Sequence, residues 1–501
     1  MLRGPVCDEW NGAVPWAEPG NVLARTRTTV PGAGRPATPS VRLALPISPI
    51  ASWRATLVIL RAFSLMALSA GLSGSALAQN VELAASAEHQ LSALTDTYKQ
   101  LHRNPELSHH EEKTSAFLAA ELRKLGYAVT ERVGKYPDGA QAYGIVGILE
   151  NGRGPRLLLR TDMDALPVEE RTGLEYASTV HAVNAQGQAV GVMHACGHDL
   201  HMTVFLGVAR EMAARKDEWH GTLMLIGQPS EEMIDGAKAM LADNLFERFG
   251  RPDFVLSEHD SNEVPSGSVA LKAGPFLAGS TGLSVTMRGI GGHGSAPQMG
   301  KDPIVLAAEF VLVSQTIVSR QIDPQQPAVL TVGTIHGGTK NNIIPDEVAM
   351  GLTLRTYSDE LRDKIIADVR RTAEGLAASY GIPADRMPTV ALGESTPPTL
   401  NDAALNERLR GAAVSALGAD RVYEGKAVMG SEDVGLFTLN GTIPGVMYWL
   451  GAADPDKLAA SRKSGVPLPS PHSALFAPVY ASAIPTGVTA MTAMALDLLK
   501  K

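Results

Sequence analysis

Hydrophobic positions recur along this chain with two periods, and the switches between them predict its elements. Segment 92–107, SALTDTYKQLHRNPEL, has helical spacing until Pro105. Segment 113–127, KTSAFLAAELRKLGY, is an amphipathic helix with a glycine stop at Gly126. YGIVGILE and RLLLRTD, at 143–150 and 156–162, read as strands joined by NGRG as a hairpin turn. LHMTVFLGVAREMAARK at 200–216 is a strong helix pattern. GTLMLIGQ at 221–228 is almost continuously apolar, as befits a strand buried on both faces. A helix, DGAKAMLADNLFERF, and a strand, DFVLSEH, follow. Strands alternating with helices define an α/β fold with a mainly parallel sheet.

The order changes at Gly279. TGLSVTMRG is an alternating strand, PIVLAAEFVLVSQTIVS a helix, and AVLTVGTIHGG and VAMGLTLRT are strands. A helix over 358–381 and a last strand, MPTVAL, end this stretch at Leu392. Strand-helix-strand-strand-helix-strand is the order of a ferredoxin-like α+β sandwich. Past Gly393 the α/β pattern resumes, with GVMYWLGA as a strand and a helix at the end. The expected organisation is an N-terminal extension with signal peptide at 1–78, a main domain in two parts at 85–278 and 393–501, and an inserted domain at 279–392.

The N-terminal reading rests on Arg54 and Arg61 ahead of the apolar run FSLMALSAGL, followed by an A-x-A site at Ala76-Leu77-Ala78. That is an export signal cut after Ala78, and the protein is expected to be periplasmic or secreted. The run is too short to cross a bilayer, so stable membrane insertion is not expected. Residues 1–50 are rich in Pro, Gly and Arg and sit awkwardly before such a signal. They raise the expectation that translation starts at Leu57 or Val58. Of the two cysteines, Cys7 leaves with the signal, so Cys196 remains alone. The net charge of −8, with no long basic run, excludes a general nucleic-acid binder.

Chemistry concentrates in a few segments. RTDMDALP carries Asp162 and Asp164, MHACGHDLH carries His194, Cys196, His198, Asp199 and His201, and GQPSEE carries Glu231 and Glu232. SEHD carries Glu258, His259 and Asp260, and SPHSALF places His472 far downstream. Alone, each has a plainer reading: turn capping for the aspartates, helix-start acids for the glutamates, a small buried hydrophobe for the cysteine. Three of the segments follow predicted strands, where open α/β sheets place their sites, and that conjunction reverses the plain readings. Thiolate, imidazole and carboxylate together suit a borderline transition metal such as zinc rather than calcium or magnesium.

LHRNPELSHHE, RTDMDALP, MHACGHDLH, QPSEE, GGHGSAP, NNIIPD, MGSEDVGLF and PHSALF, in this order, resemble the signature set of hippurate hydrolase-like N-acyl-amino-acid amidohydrolases. These belong to the two-metal carboxypeptidase and aminoacylase clan. The resemblance implies a two-metal α/β catalytic domain with an inserted lid and dimerisation domain, hence a homodimer. It implies the metal ligands Cys196, His198, Glu232, His259 and His472, with Glu231 as general base and Asp164 orienting a ligand. Zinc or manganese is the expected metal, with cobalt or nickel as alternatives. His293 and Asn342 are implied to face the substrate from the lid, His293 as an oxyanion donor reaching the partner subunit's site. Arg355 in LTLRT is a candidate for the substrate carboxylate, since a guanidinium binds carboxylate bidentately.

Two departures from the family pattern lie beside this site. Met233 and Ile234 follow the paired glutamates where the family often has glycines. Ser257-Glu258 replaces the usual apolar strand end before His259. The expected reaction is metal-dependent hydrolysis of the amide bond of N-acyl amino acids or related small amides. A metallocarboxypeptidase or dipeptidase would use the same chemistry, and a catalytically dead binding protein would have lost ligands or base, which here are all present.

Overall fold

Strands with no polar face need cover on both sides, and this requirement organises the molecule. The computed structural model describes residues 80–184 and 186–500, so the signal segment and all that precedes it lie outside the described residues. Helix α1 covers 80–103. Then come α2 (Glu112–Lys124), β1 (Ala128–Lys135), β2 (Gln141–Asn151), β3 (Arg156–Asp162), α3 (His198–Ala214) and β4 (Gly221–Gln228). They are followed by β5 (Phe254–Pro265), β6 (Val269–Leu271), β7 (Gly279–Arg288), α4 (Pro303–Thr316), β8 (Ala328–Gly337) and β9 (Glu347–Thr356). Last are α5 (Asp359–Ser379), β10 (Thr389–Thr396), α6 (Ala403–Leu417), β11 (Val422–Glu424), β12 (Gly445–Ala453) and α7 (Tyr480–Leu499).

The large sheet has the order β1-β2-β4-β3-β5-β12-β6-β11. Its centre, β4-β3-β5-β12, is parallel, and β1 and β2 extend it antiparallel on one side. Every residue of β4 and β12 is buried. One face packs on α3 and α7 through Val204, Val208, Leu450, Val488 and Met491. The other carries Met224, Ile226, Phe276, Phe437 and Met447. Helix α7 is long and apolar enough to cross a membrane, but 83% of its apolar window is buried in this core.

The hairpin expected at NGRG does not form. Strand β4 lies between β2 and β3, antiparallel to the first and parallel to the second. Both strands are apolar on both faces, so they can accept an interior neighbour, and the 152–155 link steps across it. The helix expected over 235–249 breaks into Gly236–Ala242 and Leu245–Phe249, with Asn244 between them at φ 57°.

The second sheet has the order β8-β9-β7-β10, all antiparallel, with α4 and α5 packed on it. Its core is separate, built on Val285, Phe310, Met350, Ile365 and Val369. The order and connections are ferredoxin-like, as the sequence predicts. Strand β10 runs to Thr396, four residues beyond the expected Leu392.

Candidate functional site

The parallel strands deliver their polar residues to one edge of the large sheet. Strand β3 ends at Asp162, and Asp164 follows two residues later, fully buried. Its carboxylate accepts the backbone N–H of Glu231 at 3.1 Å, that of Glu232 at 3.0 Å and the Ser108 hydroxyl at 2.6 Å. Strand β4 ends at Gln228, and the chain then turns through two left-handed residues, Ser230 (φ 51°) and Ile234 (φ 56°). A non-glycine residue pays about 1–2 kcal/mol for that conformation. The Ser230 N–H to Glu111 Oε1 bond at 2.8 Å and the Asp164 contacts hold the turn in place.

Helix α3 begins at His198, directly after Gly197. Gly197 has φ 80°, and a Cβ there would stand 2.6 Å from Asp260 Oδ1, so only glycine fits. The tight turn sets Cys196 and His198 side by side. His198 Nδ1 lies 2.8 Å from the Asp164 carbonyl, and His259 Nδ1 lies 2.8 Å from the Asp260 carbonyl. Each ring therefore donates from Nδ1 and, when neutral, turns a bare Nε2 inward. His259 Nε2 is 3.5 Å from Cys196 Sγ. His472, held at φ 69° by its N–H to the Ala195 carbonyl at 2.7 Å, puts Nε2 3.3 Å from Glu232 Oε2.

The result is a set of overlapping donor groups, each with its donor atoms within 4.8 Å of one another: Cys196–His198–His259, Cys196–Glu232–His472 and His198–Glu231–Glu232. All five expected ligands and the expected base thus meet. Two buried atoms in the cluster, His198 Nε2 and Glu232 Oε1, have no hydrogen-bond partner among the described residues and lie 3.8 Å apart. Such orphaned donors, of soft and borderline type, fit a divalent transition metal. Burial, reinforced by neighbouring carboxylates, pushes the Cys196 thiol and the Glu231 carboxyl well above their ordinary ranges. Burial also lifts Glu232 to about 8. For His198 burial acts downward, but Asp162 and Asp164 outweigh it and raise the ring to about 9. Cations in the cluster would favour release of these protons.

Beside the cluster opens a cavity of about 650 Å³, lined by Cys196, Glu231, Glu232, His259 and His472. Strands β7 and β9 contribute Ser280 and Arg355, and Val264, Leu277, Val428 and Trp449 form an apolar wall. Arg355 Nη1 donates to Ser431 Oγ at 2.6 Å. Among the described residues it has no carboxylate partner.

His293 and Asn342 meet each other but not this cavity. Gly292–His293 pairs with Ile343–Ile344, and the Gly294 N–H donates to the Asn342 carbonyl at 2.8 Å; all of these but Ile344 are exposed. His293 Nδ1 accepts from the Ser295 N–H at 3.1 Å, so the neutral ring carries its proton on Nε2, free to donate outward.

Three buried groups behind the cluster received no role in the sequence reading. His201 bridges two carboxylates, Nδ1 lying 2.8 Å from Asp162 Oδ1 and Nε2 3.2 Å from Asp260 Oδ1. Arg160 reaches Asp162, and Glu432 reaches Arg160. Burial opposes ionisation of Asp162, but His198, His201 and Arg160 hold its carboxyl well below the usual range. Spacing could have found two of them: His201 is one helical turn from His198, and Arg160 shares a strand face with Asp162.

A cluster of cysteine, histidine and carboxylate donors beside a cavity, on this pair of sheets, defines a metal-dependent hydrolase of amide bonds. Residues 158–470 match peptidase family M20/M25/M40, and the chain belongs to that family. It is 36% identical to thermostable carboxypeptidase 2 of Saccharolobus solfataricus, over 72% of this chain and 86% of that protein. It is 39% identical to hippurate hydrolase of Campylobacter jejuni, over 56% of this chain and 69% of that protein. The Bacillus subtilis YXEP protein, a dinuclear metal-binding peptidase of the M20 family, superposes with TM-score 0.65 at 26% identity, covering 82% of this chain and 98% of that one.

Proposed function

We propose that this protein releases the acyl group from N-acyl amino acids, with zinc or manganese held by Cys196, His198, Glu232, His259 and His472. Bound metal would supply a Lewis acid that activates water and polarises the carbonyl. Glu231, beside the ligands and lining the cavity, takes the proton of the attacking water and passes it to the leaving amine. Arg355 carries the substrate reading: a guanidinium with no carboxylate partner among the described residues lines the same cavity as the metal cluster. It binds the carboxylate of the amino-acid half. The apolar wall of Val264, Leu277, Val428 and Trp449 receives the acyl group.

The test is a hydrolysis panel of benzoylated, acetylated and dipeptide substrates, run before and after chelation with zinc, manganese, cobalt or nickel added back. Acyl amino acids should be cleaved fastest, and only by metal-loaded protein. Preference for peptides with a free C-terminus would favour the carboxypeptidase reading, which the Saccharolobus relative supports.

We further propose a homodimer in which His293 and Asn342 serve the partner's cavity. The support is an exposed apolar face: Ile304, Val305, Leu312 and Val313 project from α4, and Ile335 from the edge strand β8. Such a face seeks cover. Export follows from the signal pattern ending at Ala78.

A further inference from the structure

The turn that carries Glu231 and Glu232 is bounded by two left-handed residues, Ser230 and Ile234, neither of them glycine. Contacts must therefore hold a backbone that would otherwise relax. Asp164 grips the interior of the turn through the Glu231 and Glu232 N–H groups. A second grip comes from the loop ahead of α2, where His109 is also left-handed, at φ 69°.

The loop and the turn are joined twice. Glu111 is fully buried, and its Oε1 accepts the His109 N–H at 3.0 Å and the Ser230 N–H at 2.8 Å. One carboxylate oxygen thus ties two left-handed residues by their backbones. Asp235 ties the same two residues by their side chains. Its Oδ1 accepts the Ser230 hydroxyl at 2.5 Å, and His109 Nε2 lies 3.0 Å from its Oδ2. A carboxylate only accepts, so the ring donates from Nε2 whether neutral or protonated. The Tyr136 ring packs against the imidazole, centroids 4.1 Å apart, and limits its rotation. The Asp235 and Gly236 N–H groups return to the Ser230 carbonyl at 3.4 and 3.1 Å. Ser230 is therefore held at its N–H, its carbonyl and its hydroxyl, one residue before the proposed base. A base that acts through one water tolerates little displacement. The His109–Asp235 link lies at the surface, its side chains 41% and 29% exposed, so it can be altered without disturbing the core.

We propose that His109 is a positioning residue for the hydrolytic site: through Asp235 it holds the Ser230 turn, and with it the placement of Glu231 and Glu232. The inference rests on Glu231 being the base and Glu232 a ligand. His109 does not line the cavity, so its effect on the reaction passes through Asp235 and the turn.

The test compares variants of the full chain by kcat and KM at saturating metal, by metal affinity and by melting temperature. His109→Phe keeps a ring against Tyr136 but has no donor. It should lower kcat about tenfold and metal affinity about fivefold, because base and ligand share the turn. KM should stay within about twofold and the melting temperature close to the parent's, since a half-exposed pair adds little to global stability. His109→Gln places an amide donor near the position of Nε2 and should restore kcat and metal affinity to within about threefold of the parent. Ser230→Ala cuts the same link at its other end. It should fall in the same direction, and it decides the matter if the Phe variant does not fold. Added to His109→Phe it should cost little more, as residues acting through one carboxylate are coupled. Parent-like kcat and metal affinity in His109→Phe, a Gln variant as slow as Phe, independent multiplication with Ser230→Ala, or a lower melting temperature with kcat intact would each overturn the proposal. If Glu231→Gln keeps the parent rate, the base assignment fails instead, and the metal affinity of His109→Phe still reports the hold on the turn.

Discussion

The imidazole of His198 donates from Nδ1 to the main-chain carbonyl of Asp164 across 2.8 Å, and this bond leaves Nε2 bare toward the metal cluster. The same aspartate holds the Glu231 and Glu232 amides through its side chain. The proposed ligands His198 and Glu232 and the proposed base Glu231 are therefore oriented by one residue. Asp164→Asn keeps the carbonyl but weakens the side-chain grip. It should lower activity or metal affinity by about 10–100-fold, as loss of supporting contacts around metal ligands does. Metal titration alongside steady-state kinetics checks this; parent values on both would remove Asp164 from the site's support.

The two adjacent glutamates should separate cleanly. Glu231→Gln should retain metal and lose about a hundredfold or more of kcat. Glu232→Gln should lose metal first, because its Oε1 has no other partner. Elemental analysis of both proteins decides, and the opposite pattern would exchange their roles.

Arg355 is the proposed anchor of the substrate. Arg355→Ala should raise KM about tenfold or more for carboxylate-bearing substrates, the magnitude of one charge-assisted bond. The corresponding amides, lacking that charge, should show almost no change. An equal effect on both would place Arg355 in the architecture of the cavity alone.

Away from the cavity, His102 supplies a pH-dependent part of stability. Its Nδ1 lies 2.7 Å from Asp199 Oδ2 and its Nε2 3.1 Å from Glu170 Oε1. Burial acts to lower its pKa, but Asp199 and Glu170 outweigh it and raise the ring from 6.5 to about 10. A folded-state value above the unfolded one means the contribution is complete below pH 6.5 and is lost as pH rises through about 10. His102→Gln should therefore cost several degrees of melting temperature at pH 6, with the gap to the parent closing above pH 10. A constant gap across that range would show the ring to be neutral when folded.

His293 tests the assembly. His293→Ala should cut turnover with metals still bound, and mixing it with Glu231→Gln under subunit exchange should restore activity. No recovery from proven heterodimers would confine the histidine to its own subunit's chemistry.

Much of this was readable in the chain because periodicity reports burial. GTLMLIGQ and GVMYWLGA are apolar on both faces and became the wholly buried β4 and β12. The donor cluster was readable because glycine-flanked Cys196 and His198 admit few other geometries. Strand order was not readable. NGRG suits a hairpin, yet β4 inserts between β2 and β3, and nothing local encodes which neighbour an all-apolar strand will take. Nor were the supports behind the site: Arg160 and Asp433 are 273 residues apart in sequence yet 3.3 Å apart in the fold. Short strands such as β6 and β11 carry too little pattern to register at all.

The distance along the chain between Cys196 and His472 has a consequence for how the protein is made. Donors come from the stretch 196–259 and from His472, and Glu432 and His472 emerge late in synthesis. No early portion of the polypeptide can assemble the full ligand set, so a nascent or truncated chain should bind metal weakly and hydrolyse nothing. Closing loops this long delays the final contacts in folding. Catalytic competence thus waits for the segment that carries His472, and a chain that crosses a membrane before folding would acquire its ions only on the far side.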